Sequence, residues 1–331
     1  MPTFVTGGTG FIGRKLVEKL HHREEKVHLL CREQSDLRGL QRKGIEIFCG
    51  DVTDKKSIRP AMQDCQRVFH LAAYAHNWAS DPSVFFRANV EGFRNVAEIA
   101  LDNDVEKIVF TSTSLTFGPT NGYIGNEEMP RKDKMFLTDY EKTKYLAEIE
   151  GEKFLAKGLP LVIVNPTRVF GPGKMTEGNS VTRMIELYLR GRFPTILGKG
   201  EEVGNYVYVD DVTDGHLKAM SRGKIGQKYI LGGENSTLNN FFSLLSRLSG
   251  RKPPRVHVPP NLARLFARIE ENKAMLFGGY PLITLGWVET FLRHWAFSNG
   301  KAVNELGCRF RGLKQGMELT CDWLKENRLG Q

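Results

Sequence analysis

The stretch Thr6-Gly7-Gly8-Thr9-Gly10-Phe11-Ile12-Gly13 carries the fold decision. It follows the short apolar run Thr3–Thr6 at once and opens the amphipathic segment Phe11–His21, so its glycines sit in a strand–turn–helix context. Gly7 permits the tight turn, Gly10 lets backbone approach a pyrophosphate, and Gly13 lets the helix close on the strand. Thr9, Phe11 and Ile12 complete a loop whose helix N-terminus attracts phosphate. A glycine-rich turn can exist without a ligand, but a turn placed here reads as a dinucleotide site.

Outward from this turn, apolar runs at Lys26–Cys31, Ile45–Cys49, Arg67–Ala72, Lys107–Ser112 and Leu161–Asn165 read as buried strands, and Val84–Asp102 and Thr138–Lys157 as helices. The alternation predicts an α/β fold, a doubly wound parallel Rossmann sheet with function at the carboxyl ends of its strands. Past Asn165 the rhythm changes. Pro and Gly punctuate "NPTRVFGPGKMTEGN", a helix is expected near Val181–Arg190, and Thr195–Leu197 with Tyr206–Val209 read as a strand pair. Two short returns, "YVYVDDV" and "KYILGG", predict re-entry into the large sheet. Residues 1–165 are therefore expected to form the NAD(P)-binding domain, completed by segments near 205–233. Residues 166–331 are expected to form mainly a smaller, interleaved substrate-binding lobe.

The chain has 331 residues, 40% hydrophobic and 26% charged, enough for a large core and too apolar for disorder. Its formal charge of +9 comes from scattered Lys and Arg, with no basic block interleaved with aromatics. A polyanionic small molecule is expected, and nucleic acid is not. Cys31, Cys49, Cys65, Cys308 and Cys321 lie far apart without a CxxC, so neither a disulfide framework nor a metal site is expected. No window approaches the roughly 18 apolar residues of a membrane span, and no signal-peptide pattern opens the chain, so a cytoplasmic protein is expected.

About twenty residues past the glycines, a carboxylate ordinarily holds the adenosine ribose. Here the second strand ends Leu30-Cys31-Arg32-Glu33-Gln34-Ser35, and the planar fork of Arg32 suits a 2′-phosphate, which favours NADP over NAD. Arg32 can also stack on adenine, and Glu33 can reach the ribose. Asp51-Val52 closes the third strand, where a carboxylate meets the adenine amino group or is merely solvated. Leu71-Ala72-Ala73 closes the fourth and lets backbone lie along the cofactor.

On the helix predicted over Thr138–Lys157, Tyr140 and Lys144 stand at i and i+4, on one face. A free Tyr titrates at about 10, so proton exchange near neutrality needs an adjacent cation. Lys144 supplies it and can also hold the nicotinamide ribose. Upstream, "FTSTSLTFG" ends the fifth strand with hydroxyls able to polarise a substrate carbonyl. The bland alternatives, a charged helix face and a decorated strand end, lose weight once a dinucleotide site precedes them.

Together these elements resemble the extended short-chain dehydrogenase/reductase family of the NAD-dependent epimerase/dehydratase superfamily. The resemblance rests on TGGTGFIG, Asn89 in "RANVEGFRNV", "TSTS", YEKTK as the family's YxxxK, and "NPTRVFGPG" after the sixth strand. It covers almost the whole chain, and the ordered set is more specific than any one motif. It implies an NAD(P)-dependent enzyme with Tyr140 as acid/base, Lys144 as its partner and Thr113 as the catalytic hydroxyl, Ser112 and Ser114 being neighbouring candidates. It also implies cofactor contacts from Asn89 and from the segment between Pro166 and Val169, and a homodimer through the helices Val84–Asp102 and Thr138–Lys157. The strings "LCREQSDLRGL", "GYIGNEE" and "PLITLGWVETFLRHWAF" look similar to the dihydroflavonol 4-reductase, farnesol dehydrogenase and 3β-hydroxysteroid dehydrogenase branch. Members of that branch interconvert alcohols and ketones on apolar molecules.

Substrate contacts are expected from Tyr74 and Trp78 at the cleft mouth, from Ser114 and from Arg168, with apolar walls from Leu262–Ile269 and Met275–Leu285. Asp211 in "YVDDV" reads as a helix cap or a substrate contact, and Arg264 with Arg268 as a solvated face or a membrane-facing one. The expected activity is NADP(H)-dependent oxidoreduction of an apolar flavonoid-, isoprenoid- or steroid-like molecule. Its rivals are a nucleotide-sugar or hopanoid-associated sugar epimerase using retained NAD, and a non-catalytic dinucleotide sensor. Ser114-Leu115 stands where a 4,6-dehydratase of the family carries Asp-Glu, which speaks against a dehydratase.

Overall fold

The strands β1 (Thr3–Thr6), β2 (Val27–Cys31), β3 (Ile45–Cys49), β4 (Arg67–His70), β5 (Lys107–Thr111) and β6 (Leu161–Pro166) lie parallel in one sheet. β1, β5 and β6 read TFVT, KIVFT and LVIVNP, mostly apolar because helices cover both faces. Beyond them come β7 (Arg168–Phe170), β8 (Thr195–Leu197), β9 (Val203–Tyr208), β10 (Lys228–Leu231), β11 (Glu234–Thr237) and β12 (Val256–Val258). β10 joins the large sheet, whose order is β10-β6-β5-β4-β1-β2-β3. The computed structural model describes residues 1–131, 135–176, 178–193 and 195–329.

One face of the sheet carries α1 (Phe11–His22), whose Leu16, Val17 and Leu20 are buried against it. The other carries α2 (Lys55–Met62), then α3 (Ser83–Phe86) leading into α4 (Gly92–Asp102), and α5 (Asp139–Leu155). Burying each large apolar side chain on these faces contributes about 1.5–3 kcal/mol. Thr138 caps α5, its side chain accepting from the Glu141 nitrogen at 3.0 Å, and Asp139 and Glu141 favour the positive end of the helix dipole. That start fixes which residues of α5 face the strand ends.

After β6 the chain builds a second core with α6 (Ser180–Leu189), α8 (Leu238–Ser249), α9 (Pro260–Phe277) and α10 (Leu285–Phe291), while α7 (Val209–Arg222) intervenes in sequence and packs elsewhere. Phe170, Tyr206, Phe241 and Phe242 are at its centre. α7 returns to the large sheet beside α1, its Val212 and Leu217 sharing a cluster with Leu16.

Three expectations are corrected here. "YVYVDDV" does not enter the large sheet: β9 lies in a separate three-stranded sheet between β11 and β7, and only β10 completes the large one. β8 pairs not with β9 but with β12, in parallel. An apolar strand pattern shows that a segment needs partners without naming them. The single helix Val84–Asp102 is interrupted by a π-helical turn, Arg87–Glu91, which holds Asn89. Such turns insert a residue and re-aim a side chain.

Candidate active site

β1 runs into the glycine turn, where Gly7 has φ +73°, in the left-handed region. A Cβ there would lie 2.5 Å from the Ala72 nitrogen, so the turn presses on the chain leaving β4. A Cβ on Gly13 would collide with the Gly7 carbonyl oxygen, a backbone atom with nowhere to go. Gly10 donates its N–H to the Gly7 carbonyl at 3.0 Å, and no side chain caps α1 or adds a carboxylate to its first turn. The free N–H groups and the helix dipole are thus left to an anion. Lys174, from the loop after β7, donates to the Thr9 carbonyl at 3.2 Å and brings a cation to the same place.

In the sheet order the chain turns one way from β1 to β2 and β3, and the other way to β4 and β5, so the crevice opens at this reversal. A cleft of about 690 Å³ follows the carboxyl ends of the strands there. Its lining includes Gly7, Thr9, Gly10, Phe11, Ile12 and Gly13, then Arg32, Asp51 and Val52, then Leu71, Ala72, Ala73 and Tyr74. Farther along come Thr113, Ser114, Tyr140, Pro166, Arg168 and Val169. Arg32 is exposed and holds no ion pair among the described residues, and Ser35 lines the cleft with it, whereas Glu33 does not. Asp51 binds its own loop, Oδ1 accepting from the Thr53 nitrogen at 2.9 Å and from the Thr53 hydroxyl at 2.8 Å. These features fit a dinucleotide: glycines at the points where a Cβ would collide, an uncapped helix end, and the cations Arg32 and Lys174 along one groove.

At the far end, half-buried Tyr140 faces the cleft beside Thr113. Burial pushes its hydroxyl up to about 12, and a hydrogen bond with the Thr113 side chain pulls the other way. Tyr140 is therefore protonated at neutral pH. Lys144, one turn on, is 1% exposed, and its Nζ donates to the Thr111 carbonyl at 2.6 Å. Burial pushes Lys144 down to about 7, against the charge of Glu148, which raises it. His70 lies buried below, stacked on Phe110, with Nδ1 2.8 Å from the Thr6 hydroxyl. Burial, and then Lys144, push it down to about 3, so it is neutral.

Beneath the Thr113 backbone sits a polar cluster that sequence reasoning missed. Glu148, 2% exposed, accepts from Ser112, from Thr116 at 2.9 Å, from Asn165 at 2.8 Å and from Lys228 at 2.9 Å. Asn165 also donates to the Thr113 carbonyl at 3.0 Å, so the cluster fixes the strand end that presents the hydroxyl. The i, i+4, i+8 spacing of Tyr140, Lys144 and Glu148 is the signal that could have found it.

Several expected residues lie elsewhere. Asn89 does not line the cleft: it is 1% exposed, accepts from the Tyr74 nitrogen at 2.7 Å and donates to Thr143 at 2.9 Å, anchoring the chain after β4 to α5. Trp78 is also outside the cleft, edge-on to Tyr280 with ring centroids 5.9 Å apart. Asp211 neither caps α7 nor meets the cleft; it accepts from the Arg311 nitrogen at 2.7 Å and pairs with the Arg311 guanidinium. The large side chains of Leu262–Ile269 are exposed, and the apolar wall comes instead from Trp287, Phe291 and Trp295. Arg168 stacks over Phe291 at 4.2 Å and donates to the Tyr206 hydroxyl at 3.2 Å.

The family model described as "NAD dependent epimerase/dehydratase family" matches residues 3–232. The chain belongs to this family. Among relatives, it is 32% identical to the Synechocystis sp. protein named "Putative dihydroflavonol 4-reductase", over 98% of this chain and 94% of that one. It is also 32% identical to sterol demethylase protein B of Methylococcus capsulatus, over 82% and 81% of the two chains. Among solved structures it is similar to gox2253, at 34% identity and a TM-score of 0.84 over 99% and 98% of the chains. It is similar as well to UDP-glucose 4-epimerase of Thermotoga maritima with UDP-glucose, at 25% identity and a TM-score of 0.81 over 98% and 99%. As a member of the epimerase/dehydratase family the protein is an NAD(P)-dependent enzyme of the short-chain dehydrogenase/reductase type. The family's YxxxK falls on Tyr140, which lines the cleft, and on Lys144, which does not: expected to hold the nicotinamide ribose, it is buried with its Nζ on the Thr111 carbonyl.

Proposed function

We propose that the protein is an NADP(H)-dependent reductase/dehydrogenase that interconverts a ketone or aldehyde and an alcohol on an apolar molecule. The observation that carries this reading is the pairing of the Tyr140 and Thr113 hydroxyls at a cleft end walled by Trp287, Phe291 and Trp295. When bound, the nicotinamide exchanges a hydride with the substrate carbon. Tyr140, protonated at neutral pH, gives its proton to the carbonyl oxygen during reduction and takes it back during oxidation. Thr113 donates a hydrogen bond to the same oxygen as charge develops there, and the Lys144 charge supports the tyrosinate left behind.

Gly7, Gly10 and Gly13 with Lys174 hold the pyrophosphate, and unpaired Arg32 with Ser35 takes the 2′-phosphate that distinguishes NADP. Residues 166–331 act mainly as the substrate lobe over this site. The working form is a cytoplasmic homodimer through α4 and α5, with all five cysteines free. Names among the relatives support an apolar substrate, since sterol and dihydroflavonol are bulky ring systems.

The test is incubation with NADPH, or with NAD, and a panel of apolar ketones, aldehydes and alcohols beside nucleotide sugars, followed at the nicotinamide absorbance band. Stoichiometric absorbance change with an apolar carbonyl is expected. Conversion of a nucleotide sugar to its epimer by cofactor that stays bound, with no net absorbance change, would replace this reading with the epimerase.

A further inference from the structure

α9 is built inside out. Its buried positions are alanines: Ala263, Ala267 and Ala274 are each at most 6% exposed. Five of its large apolar residues, Leu262, Leu265, Phe266, Ile269 and Leu276, are each between 45% and 77% exposed. Their spacing puts them on one stripe of the helix. Phe277, the last residue of the helix, is 82% exposed, and Leu282 in the turn beyond is 76% exposed. Single exposed apolar residues are ordinary on any protein, but a contiguous stripe of this size marks a surface that meets something apolar.

The charges around the stripe say what covers it. The helix carboxylates are turned toward the following chain: Glu270 accepts from the Leu282 nitrogen at 3.3 Å, and Glu271 from the Leu285 nitrogen at 2.7 Å. Arg268 is exposed and holds no ion pair among the described residues, and exposed Lys273 meets Glu270 only at 3.9 Å. An apolar stripe with the unpaired Arg268 and the loosely paired, exposed Lys273 beside it, on a chain of net charge +9, complements an anionic lipid surface. There the Lys and Arg stems bury with the apolar groups while their heads stay among the headgroups.

The stripe also leads to the cleft. Tyr280, just past α9, accepts from the Asn77 nitrogen at 3.1 Å, and its ring is 6.1 Å from that of His76. His76 and Asn77 line the cleft. We propose that α9 and the turn after it form a membrane-docking surface, which seats the protein on an anionic bilayer with its cleft mouth at the lipid interface. The contact is peripheral, since no helix among the described residues is long and apolar enough to cross a membrane. Entry of an apolar substrate from the bilayer follows if the proposed function holds; the docking itself does not depend on it.

The test is co-sedimentation of the full chain with vesicles of phosphatidylcholine alone, and of phosphatidylcholine and phosphatidylglycerol in equal parts, at low and high salt. The protein is expected in the pellet with the anionic vesicles, released in part by salt, and in the supernatant with the neutral ones. The triple variant Phe266→Ser/Leu276→Ser/Phe277→Ser is expected in the supernatant throughout. Its circular dichroism and cofactor affinity should match wild type, because none of the three side chains belongs to a core cluster. Arg268→Glu should lower the pelleted fraction on anionic vesicles. Wild-type protein that stays in the supernatant with both vesicles overturns the proposal, as does a triple variant that pellets like wild type. A light-scattering mass that falls in the triple variant assigns the stripe to a second copy of the chain and overturns it equally. No turnover is measured, so failure of the proposed reaction leaves these results readable.

Discussion

Replacing Lys144 by Met should stabilise the protein while abolishing turnover. The ammonium is 1% exposed, and burial pushes it from 10.5 down to about 7. The unfolded chain holds this proton up to its ordinary value and the native chain only to about 7, so between those values the unfolded state binds more protons. Native stability therefore rises with pH across that window, and below it the cost of the buried charge is complete. At pH 7 the cost is about 4 kcal/mol. Lys144→Met removes it but strips the Thr111 carbonyl of its 2.6 Å donor, a loss of about 1–2 kcal/mol. The net expectation is a gain of about 2 kcal/mol at pH 7. Raising the pH to 9 should return about 2 kcal/mol to wild type relative to the variant, closing the gap. Urea unfolding of both proteins without added cofactor, followed by circular dichroism at the two pH values, measures this directly. A variant less stable than wild type at pH 7, with a difference that pH does not alter, would refute the account of Lys144.

Gly13→Ala puts a Cβ against the Gly7 carbonyl; an overpacking cost of about 1–3 kcal/mol and roughly tenfold weaker cofactor binding are expected by thermal unfolding and titration calorimetry. Arg32→Ala should weaken NADP binding far more than NAD binding, and an unchanged preference would remove Arg32 from the 2′-phosphate site. Glu148→Ala leaves Ser112, Thr116 and Asn165 without their shared acceptor. The Lys228 side chain is 27% exposed and keeps Glu152 at 3.6 Å, so about 2–3 kcal/mol of stability should be lost rather than the full penalty of a broken buried pair.

The Rossmann sheet was legible because its signals are local. A glycine turn between an apolar run and a helix states its constraint within one short string, and Gly7 and Gly13 prove to be places where no Cβ fits. Helical spacing put Tyr140 and Lys144 on one face, and it took the glycine turn and the hydroxyl-rich strand end upstream to single them out. Asn89 was misplaced because its partners, Tyr74 and Thr143, come from distant segments and a π turn that no periodicity announces. β9 was misassigned because its apolar pattern fits either sheet. Leu262–Ile269 was read as a wall because apolar residues usually go inward; only the structure shows the alanines inside and the leucines out. Glu148 went unremarked because a carboxylate on a charged helix looks solvated until Ser112, Thr116, Asn165 and Lys228 close around it.

The central claim is that Tyr140 moves the proton. Tyr140→Phe keeps the ring and removes only the hydroxyl, so cofactor affinity should hold near wild type. With a carbonyl substrate found in the absorbance screen, kcat is expected to fall by about three orders of magnitude or more, as loss of a positioned acid/base group implies. Near-wild-type turnover by Tyr140→Phe, with cofactor binding intact, would contradict the account.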